Sequence, residues 1–376
     1  MMVTTRVRMH SRVFVCCLLI VAQLVVWLPG RMVLATAPSG YTVTAIPVPD
    51  GYQTVLGYTI NAKSTVVGFA SGTDPSTGQP VDRPMLFQKG KFKLLGGDGA
   101  TGAALDINNR GHIVGFTTPS TPSESHPAML TTSQATDLGS LGGNMGWAYA
   151  INGNDQIVGY SAIDAGGSVH GFLWDEGELS DLGGLAEGGM SIASDINDKG
   201  LIVGVATTGT GSGPFDPGAR AVLWDGGEIA DLGTLGDGDL SVAIVVNSGG
   251  QIAGTSNTAP GQTYGSSGMQ AFLWEEGEMT ALPLPKGSTA CLVGDINKQG
   301  WVTGSCSVPG ADSVFADSIA VIWIDGEIID LNSLTKGDGQ WTVQQAFGMN
   351  DAGEIVCHGV GPDGTQQTLI LSPTES

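Results

Sequence analysis

The sequence is poor in charge, and poorest in basic residues. Charged residues make up 14% of the 376, against roughly 25% in ordinary globular chains, which argues against a chain kept disordered by self-repulsion. Four of the 15 basic residues fall within residues 1–37, where there is no carboxylate. The 11 that remain face 36 acidic residues, a net charge of −25. Such an acidic chain disfavours nucleic acid and anionic membrane surfaces as partners.

Cysteine is also scarce. Cys16 and Cys17 lie in the N-terminal segment, which leaves Cys291, Cys306 and Cys357 in the rest of the chain. An odd count leaves at least one thiol unpaired or pairing between chains. So few cysteines form no disulfide framework, and a hydrophobic core must hold the fold.

The N-terminal segment has the pattern of an export signal. Arginines precede an apolar run over residues 13–28, Pro29-Gly30 ends that run, and Ala35-Thr36-Ala37 offers small residues for a signal peptidase. The run is shorter than the ~20 residues that span a bilayer, which favours a cleaved signal peptide over residues 1–37 above an uncleaved anchor. We therefore expect an extracellular or cell-surface protein without membrane insertion after cleavage.

Glycine is abundant, and much of it belongs to an internal repeat. One phrase recurs seven times: Ile-Asn or a close relative, two residues, often Gly, one residue, then an apolar pair and Gly, as in INNRGHIVG from Ile107. Its asparagines are separated by 44–53 residues and are Asn61, Asn108, Asn152, Asn197, Asn247, Asn297 and Asn350.

Two further phrases follow each Asn phrase in fixed order. The first resembles AFLW, as at Ala271, and the second resembles Asp-Leu-Gly, as at Asp231. The seventh AFLW-like copy, TLIL from Thr368, is followed by only five residues, whereas an extra apolar run, YTVTAIPV from Tyr41, precedes the first Asn phrase. The strand that the last repeat lacks therefore stands at the other end of the sequence.

These repeats predict an all-β fold. Each unit holds four short apolar or alternating runs bounded by Gly, Asn and Ser, which is typical of strands, and its length is close to the ~40–50 residues of a propeller blade. A solenoid would leave both ends open and need caps. The sequence predicts a seven-bladed β-propeller with four-stranded blades over residues 38–376, its ring closed by the N-terminal strand joining the last blade.

The repeat resembles the HAF family of extracellular repeats, named for a His-Ala-Phe run at the start of the third strand. The matching residues are His170-Gly171-Phe172, Gln270-Ala271-Phe272 and Arg220-Ala221-Val222, within the INxxGxIVG and LWxxGxxxDLG phrases. Only the first of these copies carries the histidine. The resemblance implies secretion and a repeat architecture over nearly the whole mature chain, and it carries no established reaction.

The Asn-x-x-Gly turn is explained by the needs of the backbone. Asn at the first position of a type I turn accepts hydrogen bonds from the following N–H groups, and Gly at the fourth takes the left-handed conformation. Calcium is the rival explanation, because Asp195 and Asn197 place oxygens at alternate positions. A calcium loop needs several carboxylates, and Asp106, Asp195 and Asp295 are each the sole acid two residues before Asn. We expect no cofactor, with calcium as a weak alternative.

Two other repeated positions indicate packing. An aromatic residue ends the third strand in five repeats and predicts contacts between blades; these residues are Phe87, Trp174, Trp224, Trp274 and Trp323. A glycine inside the second strand predicts close backbone approach; these glycines are Gly68, Gly115, Gly159, Gly204, Gly254 and Gly304.

Cys291 and Cys306 flank the sixth Asn turn, and the hairpin register decides whether they pair. A two-residue loop would set them opposite each other. The three-residue loop with a Gly bulge, which Asn-x-x-Gly favours, sets Cys291 opposite Ser307. The second register is preferred, which disfavours a disulfide.

Connectivity places the candidate site on one face of the ring. The loops between second and third strands are long and rich in Gly, Ser, Thr and Pro, and they share a face with the links between blades; examples are residues 71–83, 117–127, 207–220, 255–269 and 308–318. Binding residues concentrate on such loops. Trp147 and Trp341 in the links offer rings for a sugar or pack as a lid over the channel. His170 and Arg220 head third strands and offer contacts for an anionic ligand, or form an ordinary solvated loop base.

Enzyme signatures are absent from the sequence. There is no GxSxG elbow, HExxH, P-loop or Rossmann glycine pattern. We expect an exported non-catalytic binding propeller whose ligand is a glycan or an extracellular protein. The alternative is a carbohydrate-active propeller, a glycosidase or lyase, with paired carboxylates at the channel mouth. A third possibility is a structural block of the cell envelope.

Overall fold

The computed structural model describes residues 37–73, 78–118, 124–209, 213–311, 313–314, 317–335 and 341–374. Seven four-stranded antiparallel sheets make up a seven-bladed β-propeller, which confirms the predicted fold class. Residues 1–36 of the predicted signal peptide (residues 1–37) lie outside the described part, and the signal peptide stays a prediction. Within the described ranges, no helix has the length and apolar character needed to cross a membrane.

The strands follow the repeats of the sequence. The chain enters through β1 (Tyr41–Ala45). Blade 1 then contains β2 (Tyr52–Ile60), β3 (Val66–Thr73), β4 (Pro80–Gln88) and β5 (Lys91–Leu94). Blade 2 contains β6 (Gly102–Ile107), β7 (Ile113–Thr117), β8 (His126–Leu130) and β9 (Ala135–Asp137). Blade 3 contains β10 (Gly146–Ile151), β11 (Ile157–Ala162), β12 (Val169–Asp175) and β13 (Glu178–Asp181).

The remaining blades repeat this order. Blade 4 contains β14 (Ser191–Ile196), β15 (Ile202–Thr207), β16 (Ala219–Asp225) and β17 (Glu228–Asp231). Blade 5 contains β18 (Ser241–Val246), β19 (Ile252–Asn257), β20 (Met269–Glu275) and β21 (Glu278–Ala281). Blade 6 contains β22 (Cys291–Ile296), β23 (Val302–Ser307), β24 (Ser318–Ile324) and β25 (Glu327–Asp330).

Blade 7 closes the ring with strands from both ends of the propeller. It contains β26 (Thr342–Met349), β27 (Ile355–Val360) and β28 (Gln366–Pro373), and β1 is its outer strand. β1 pairs antiparallel with β28, from Tyr41 opposite Pro373 to Ala45 opposite Leu369. A single helical turn, α1 (Leu331–Leu334), links blades 6 and 7. Asp330 caps it by accepting a hydrogen bond from the Asn332 N–H.

The Asn turns have the predicted backbone. The fourth position of the turn has a positive φ in all seven repeats, at Ser64, Gly111, Asp155, Gly200, Gly250, Gly300 and Gly353. The side-chain oxygen of Asn197, for example, accepts hydrogen bonds from the N–H groups of Lys199 and Leu201 at 3.0 and 3.1 Å. The seven turns therefore share one backbone conformation even where the glycine is replaced.

The same asparagines also join the blades to each other. The Asn197 Nδ2 donates to the carbonyl oxygen of Asn247 in the next blade at 3.0 Å. Equivalent bonds start from Asn61, Asn108, Asn152, Asn247 and Asn350, the last one closing onto Asn61. Asn297 is the exception, because its Nδ2 lies 3.8 Å from Met349 Sδ instead. This arrangement, which we call the asparagine ring, encircles the channel at one face.

The third-strand aromatics pack between blades, as predicted. Trp224 and Trp323 are only 2% and 1% exposed. Their indole N–H groups donate to carbonyl oxygens of the preceding blade, Leu182 for Trp224 and Pro283 for Trp323, at 3.0 and 2.9 Å. Each ring thus fills an apolar interface while its polar atom remains satisfied.

The preferred register for Cys291 and Cys306 is wrong. Next to the turn the pairing follows the favoured three-residue loop, with Ile296 opposite Val302. A β-bulge after Val293 then shifts the register by one, so that Cys291 lies opposite Cys306, and the two form a disulfide. Cys357 is a free, buried thiol.

Candidate functional site

The propeller has two different faces. The Asn turns and the hairpins between third and fourth strands lie on one of them, which we call the turn face. The long loops between second and third strands and the links between blades lie on the other, the loop face. The first strand of every blade runs along the central channel, from the loop face to its Asn turn.

Every first strand carries a β-bulge just before its Asn turn. In blade 3, for example, Ala148 lies opposite Gly159 and Ala150 opposite Val158, which leaves Tyr149 without a partner. A bulge inserts an extra residue and re-aims its side chain. The equivalent positions all line the channel, and we call them the bulge positions: Tyr58, Leu105, Tyr149, Ser194, Ile244, Gly294 and Phe347.

The glycine of the second strand accommodates the bulge. A Cβ added to Gly204 would lie 2.0 Å from the Ile192 carbonyl oxygen of the bulged strand, and one added to Gly159 would lie 1.9 Å from that of Trp147. No side chain fits at such distances. The predicted close backbone approach is therefore confirmed, and its reason is the bulge.

Among the described residues, a cavity of about 550 Å³ occupies the loop-face half of the channel. Aromatic side chains form much of its wall. Tyr58 and Phe347 meet edge to face at 6.4 Å between ring centroids, and Phe215 and Tyr264 lie 5.3 Å apart. Its volume is within the range of small-molecule sites.

Three carboxylates lie deeper in the same cavity. Asp106, Asp195 and Asp295 come from blades 2, 4 and 6, each directly before the Ile-Asn pair. Asp106 also lines the turn-face mouth of the channel, so this level separates the two halves. The described residues contain no group of His, Cys, Asp or Glu side chains arranged to hold a metal ion.

Each carboxylate bridges two blades. Asp195 accepts hydrogen bonds from the N–H of Ile196 in its own strand and from the N–H of Val246 in the next blade, both at 2.8 Å. Asp295 does the same with Ile296 and Met349, both at 2.7 Å. These bonds fix the carboxylates around the channel axis.

Burial raises the pKa of all three groups, although the backbone donors act in the opposite direction. The pKa is about 6 for Asp106, about 7 for Asp195 and about 8 for Asp295. The negative charges also raise one another's pKa, as Asp106 does for Asp195. Groups that exchange protons near neutral pH thus line the cavity.

The two tryptophans predicted to bind ligand occupy different places. Trp147 lines the channel cavity, with one face stacked on Phe116 at 4.4 Å and its Nε1 donating to Ser125 Oγ at 3.1 Å. Trp341 is half-buried against the core of blades 6 and 7, beside Gly361. The structure does not bring the two rings together.

His170 and Arg220 have partners in their own blades and in the links to the next blades. His170 Nδ1 lies 2.9 Å from the Asp181 carboxylate, and its Nε2 lies 3.1 Å from the carbonyl oxygen of Gly189. Arg220 donates to the carbonyl oxygens of Ala219 and Asp239. They are equivalent positions of neighbouring blades, away from the channel cavity. Their predicted contact with an anionic ligand stays a prediction.

Sequence reasoning missed the bulge positions as a site. The sequence did carry a signal. Each bulge position lies three residues before the asparagine of its repeat, and the three aspartates recur in alternate repeats. The identities at the bulge positions differ from blade to blade, and only the ring brings them to one cavity.

The comparisons with known proteins concern the fold. The β-propeller domain of the Trilobed protease from Pyrococcus furiosus, described as having an open velcro topology, is 13% identical with a TM-score of 0.54; the match covers 86% of this chain and 95% of that one. Acylaminoacyl peptidase of Pyrococcus horikoshii is 11% identical with a TM-score of 0.53, over 86% of this chain and 52% of that one.

No family model and no curated protein matches the chain, so the resemblance to HAF repeats stays a prediction. Identities this low show architecture alone. The chain is thus similar to known proteins as a β-propeller, here one whose ring is closed by its first strand.

Proposed function

We propose that this protein is an exported binding propeller that takes the end of a glycan into the loop-face cavity of its channel. One observation carries the proposal: the bulges bring residues of all seven blades to a single cavity with aromatic walls and carboxyl groups at its base.

The chemistry of that cavity suits a sugar. Tyr58, Tyr149 and Phe347 offer ring faces or edges to the apolar side of a pyranose. The carboxyl groups below them exchange hydrogen bonds with sugar hydroxyls: Asp106, with a pKa of about 6, accepts when ionised, and Asp295, with a pKa of about 8, also donates when protonated. The described residues that line the cavity include no Lys, Arg or His, so they offer an anionic sugar no counter-charge.

Export is supported by two observations. The Cys291–Cys306 disulfide is typical of an oxidising compartment. The first 37 residues have the pattern of a signal peptide. Together they support a location outside the cytoplasm, where glycans are accessible.

A glycan-array screen of the purified protein, with and without added calcium, tests the proposal. We expect saturable binding of a neutral glycan that is lost in Tyr149→Ala and kept in Trp341→Ala and His170→Ala, which lie outside the cavity. Equal loss in all three folded variants would contradict a channel site. Absence of binding to any glycan would contradict the sugar ligand and favour an extracellular protein.

A carbohydrate-active enzyme is the second candidate, and the three carboxylates are the observation that favours it. A glycosidase needs one protonated and one ionised carboxyl, and raised pKa values near neutrality provide such groups. Both oxygens of Asp195 and Asp295 already accept backbone N–H groups, which favours the binding role. Release of reducing sugar from a bound glycan, abolished in Asp195→Asn, would establish the enzyme instead.

A further inference from the structure

A second cavity lies at the loop-face end of blade 7. It has a volume of about 230 Å³ and is formed by β26, β27 and β28, the first strand of blade 1, and Asp317 and Ser318 at the start of β24 in blade 6. Amide side chains dominate its lining, which includes Gln344, Gln345, Gln366, Gln367, Thr54 and His358. We call it the glutamine cleft. None of its lining residues belongs to the channel cavity.

Two additional backbone irregularities flank the glutamine cleft. All seven first strands have the bulge near the Asn turn. In addition, β2 and β26 have a second register shift nearer the loop face. The shift in β26 leaves Gln344 unpaired, and the one in β2 lies between Tyr52 and Thr54. Bulges of this kind re-aim side chains, and here both lie beside the same cavity.

His358, which lines the glutamine cleft, has a ring nitrogen that lacks a hydrogen-bond partner among the described residues. Its ring packs on Phe347 at 4.4 Å between centroids. Its Nε2 is buried and has no hydrogen-bond partner among the described residues. Burial lowers the pKa of His358 to about 4, and a hydrogen bond to the backbone of Gly57 acts in the opposite direction. The ring is therefore neutral at pH 7. With one nitrogen donating to Gly57, the other carries a lone pair that calls for a hydroxyl or N–H donor.

We propose that the glutamine cleft binds a neutral polyhydroxylated molecule of the size of one sugar residue. Each glutamine amide both donates and accepts hydrogen bonds, which matches hydroxyl groups that do the same. The described part of the lining contains one carboxylate, Asp317, and no Lys or Arg, which disfavours an anionic ligand. A cavity below the ~300 Å³ of drug-sized sites suits a single small ring. This site does not depend on the channel proposal.

Saturation-transfer NMR on the purified protein tests the cleft, with glucose, galactose, mannose, N-acetylglucosamine and inositol as probes and inorganic phosphate as the anionic comparison. We expect saturable binding of at least one neutral probe, weakened about tenfold or more in Gln345→Ala and Gln367→Ala, as the loss of hydrogen bonds to the ligand predicts. Gln134→Ala, an exposed glutamine of a blade 2 turn, is the matched control and keeps full affinity, as does the channel variant Tyr149→Ala.

The histidine gives an independent measurement. In the ¹⁵N spectrum of the imidazole, the Nε2 resonance is expected to move when the neutral probe is added, at pH 7 and without protonation of the ring. Binding that is lost in Tyr149→Ala but unchanged in both glutamine variants would overturn the cleft and leave the channel proposal standing. Binding of phosphate in place of the neutral probes, or of no probe, would overturn the cleft proposal as well.

Discussion

Replacing one asparagine of the asparagine ring by aspartate isolates the bond between blades. Asn197→Asp keeps an oxygen for the N–H groups of Lys199 and Leu201 but removes the donor to the Asn247 carbonyl. Losing that bond and leaving a buried carbonyl facing an oxygen costs about 2 kcal/mol beyond the burial of the charge. For a domain of this size that is a fall of about 3 °C in Tm.

Asn297→Asp is the matched control. Asn297 is equally buried, makes the same turn bonds to Gln299 and Trp301, and also follows an aspartate by two residues. Its Nδ2 contacts Met349 Sδ and not a carbonyl oxygen. Both variants therefore bury the same negative charge, but Asn197→Asp alone loses a hydrogen bond to a carbonyl of the next blade. Thermal unfolding followed by circular dichroism compares the two. Equal decreases in Tm would refute the role assigned to the asparagine ring.

Three further predictions concern stability. The pKa values of Asp195 and Asp295 rise from 3.8 in the unfolded chain to about 7 and 8 in the folded state, so the folded state holds protons that the unfolded state has lost. Tm is therefore expected to fall as pH rises from about 4 to about 8 and to level off above that. Asp295→Asn should flatten this fall in a pH series of melting curves, and an unchanged slope would count against the raised pKa. Cys306→Ser should lower the free energy of unfolding by about 2–4 kcal/mol in urea titrations, with added reductant changing the wild type alone. Gly204→Ala should cost about 2 kcal/mol or more through backbone displacement, whereas alanine at exposed Gly209, which has open space around its Cα, should leave the urea midpoint nearly unchanged.

Much of the fold could be predicted because it is repeated. Seven copies of one phrase reveal the blades, and the displaced run from Tyr41 reveals how the ring closes. The turn at each asparagine could be derived from backbone preferences alone. Within the described residues, the all-β prediction departs from the structure at the short helical turn Leu331–Leu334.

The hairpin register beyond the turn could not be derived in the same way. The local pattern at Asn297 predicts the pairing next to the turn correctly, and a bulge a few residues further on reverses its consequence for Cys291. The glycine in the second strand was the sequence feature that indicated the bulge, because a side chain there would clash with the bulged strand. That clash involves a carbonyl oxygen of the neighbouring strand, so the sequence of the second strand alone does not show it.

The candidate site was predicted on the correct face only in general terms. Sequence reasoning selected residues of the links and loop bases, and Trp147 is the one that lines the channel cavity. The other wall residues differ between repeats, so no recurring pattern marks them. Their convergence is a property of the closed ring and not of any one blade.

The first-strand bulge and the second-strand glycine opposite it divide two roles between different residues: some hold the hairpin, and others face the channel cavity. The glycine and the turn fix the hairpin, while the residue at the bulge position lines the channel cavity. Six such positions can therefore be varied together, one per blade, whereas Gly294 stays fixed because a Cβ there would clash with the carbonyl oxygen of Ala346. A library restricted to these positions would retain one scaffold while it samples many channel surfaces, and this makes the chain a modular frame for engineered receptors.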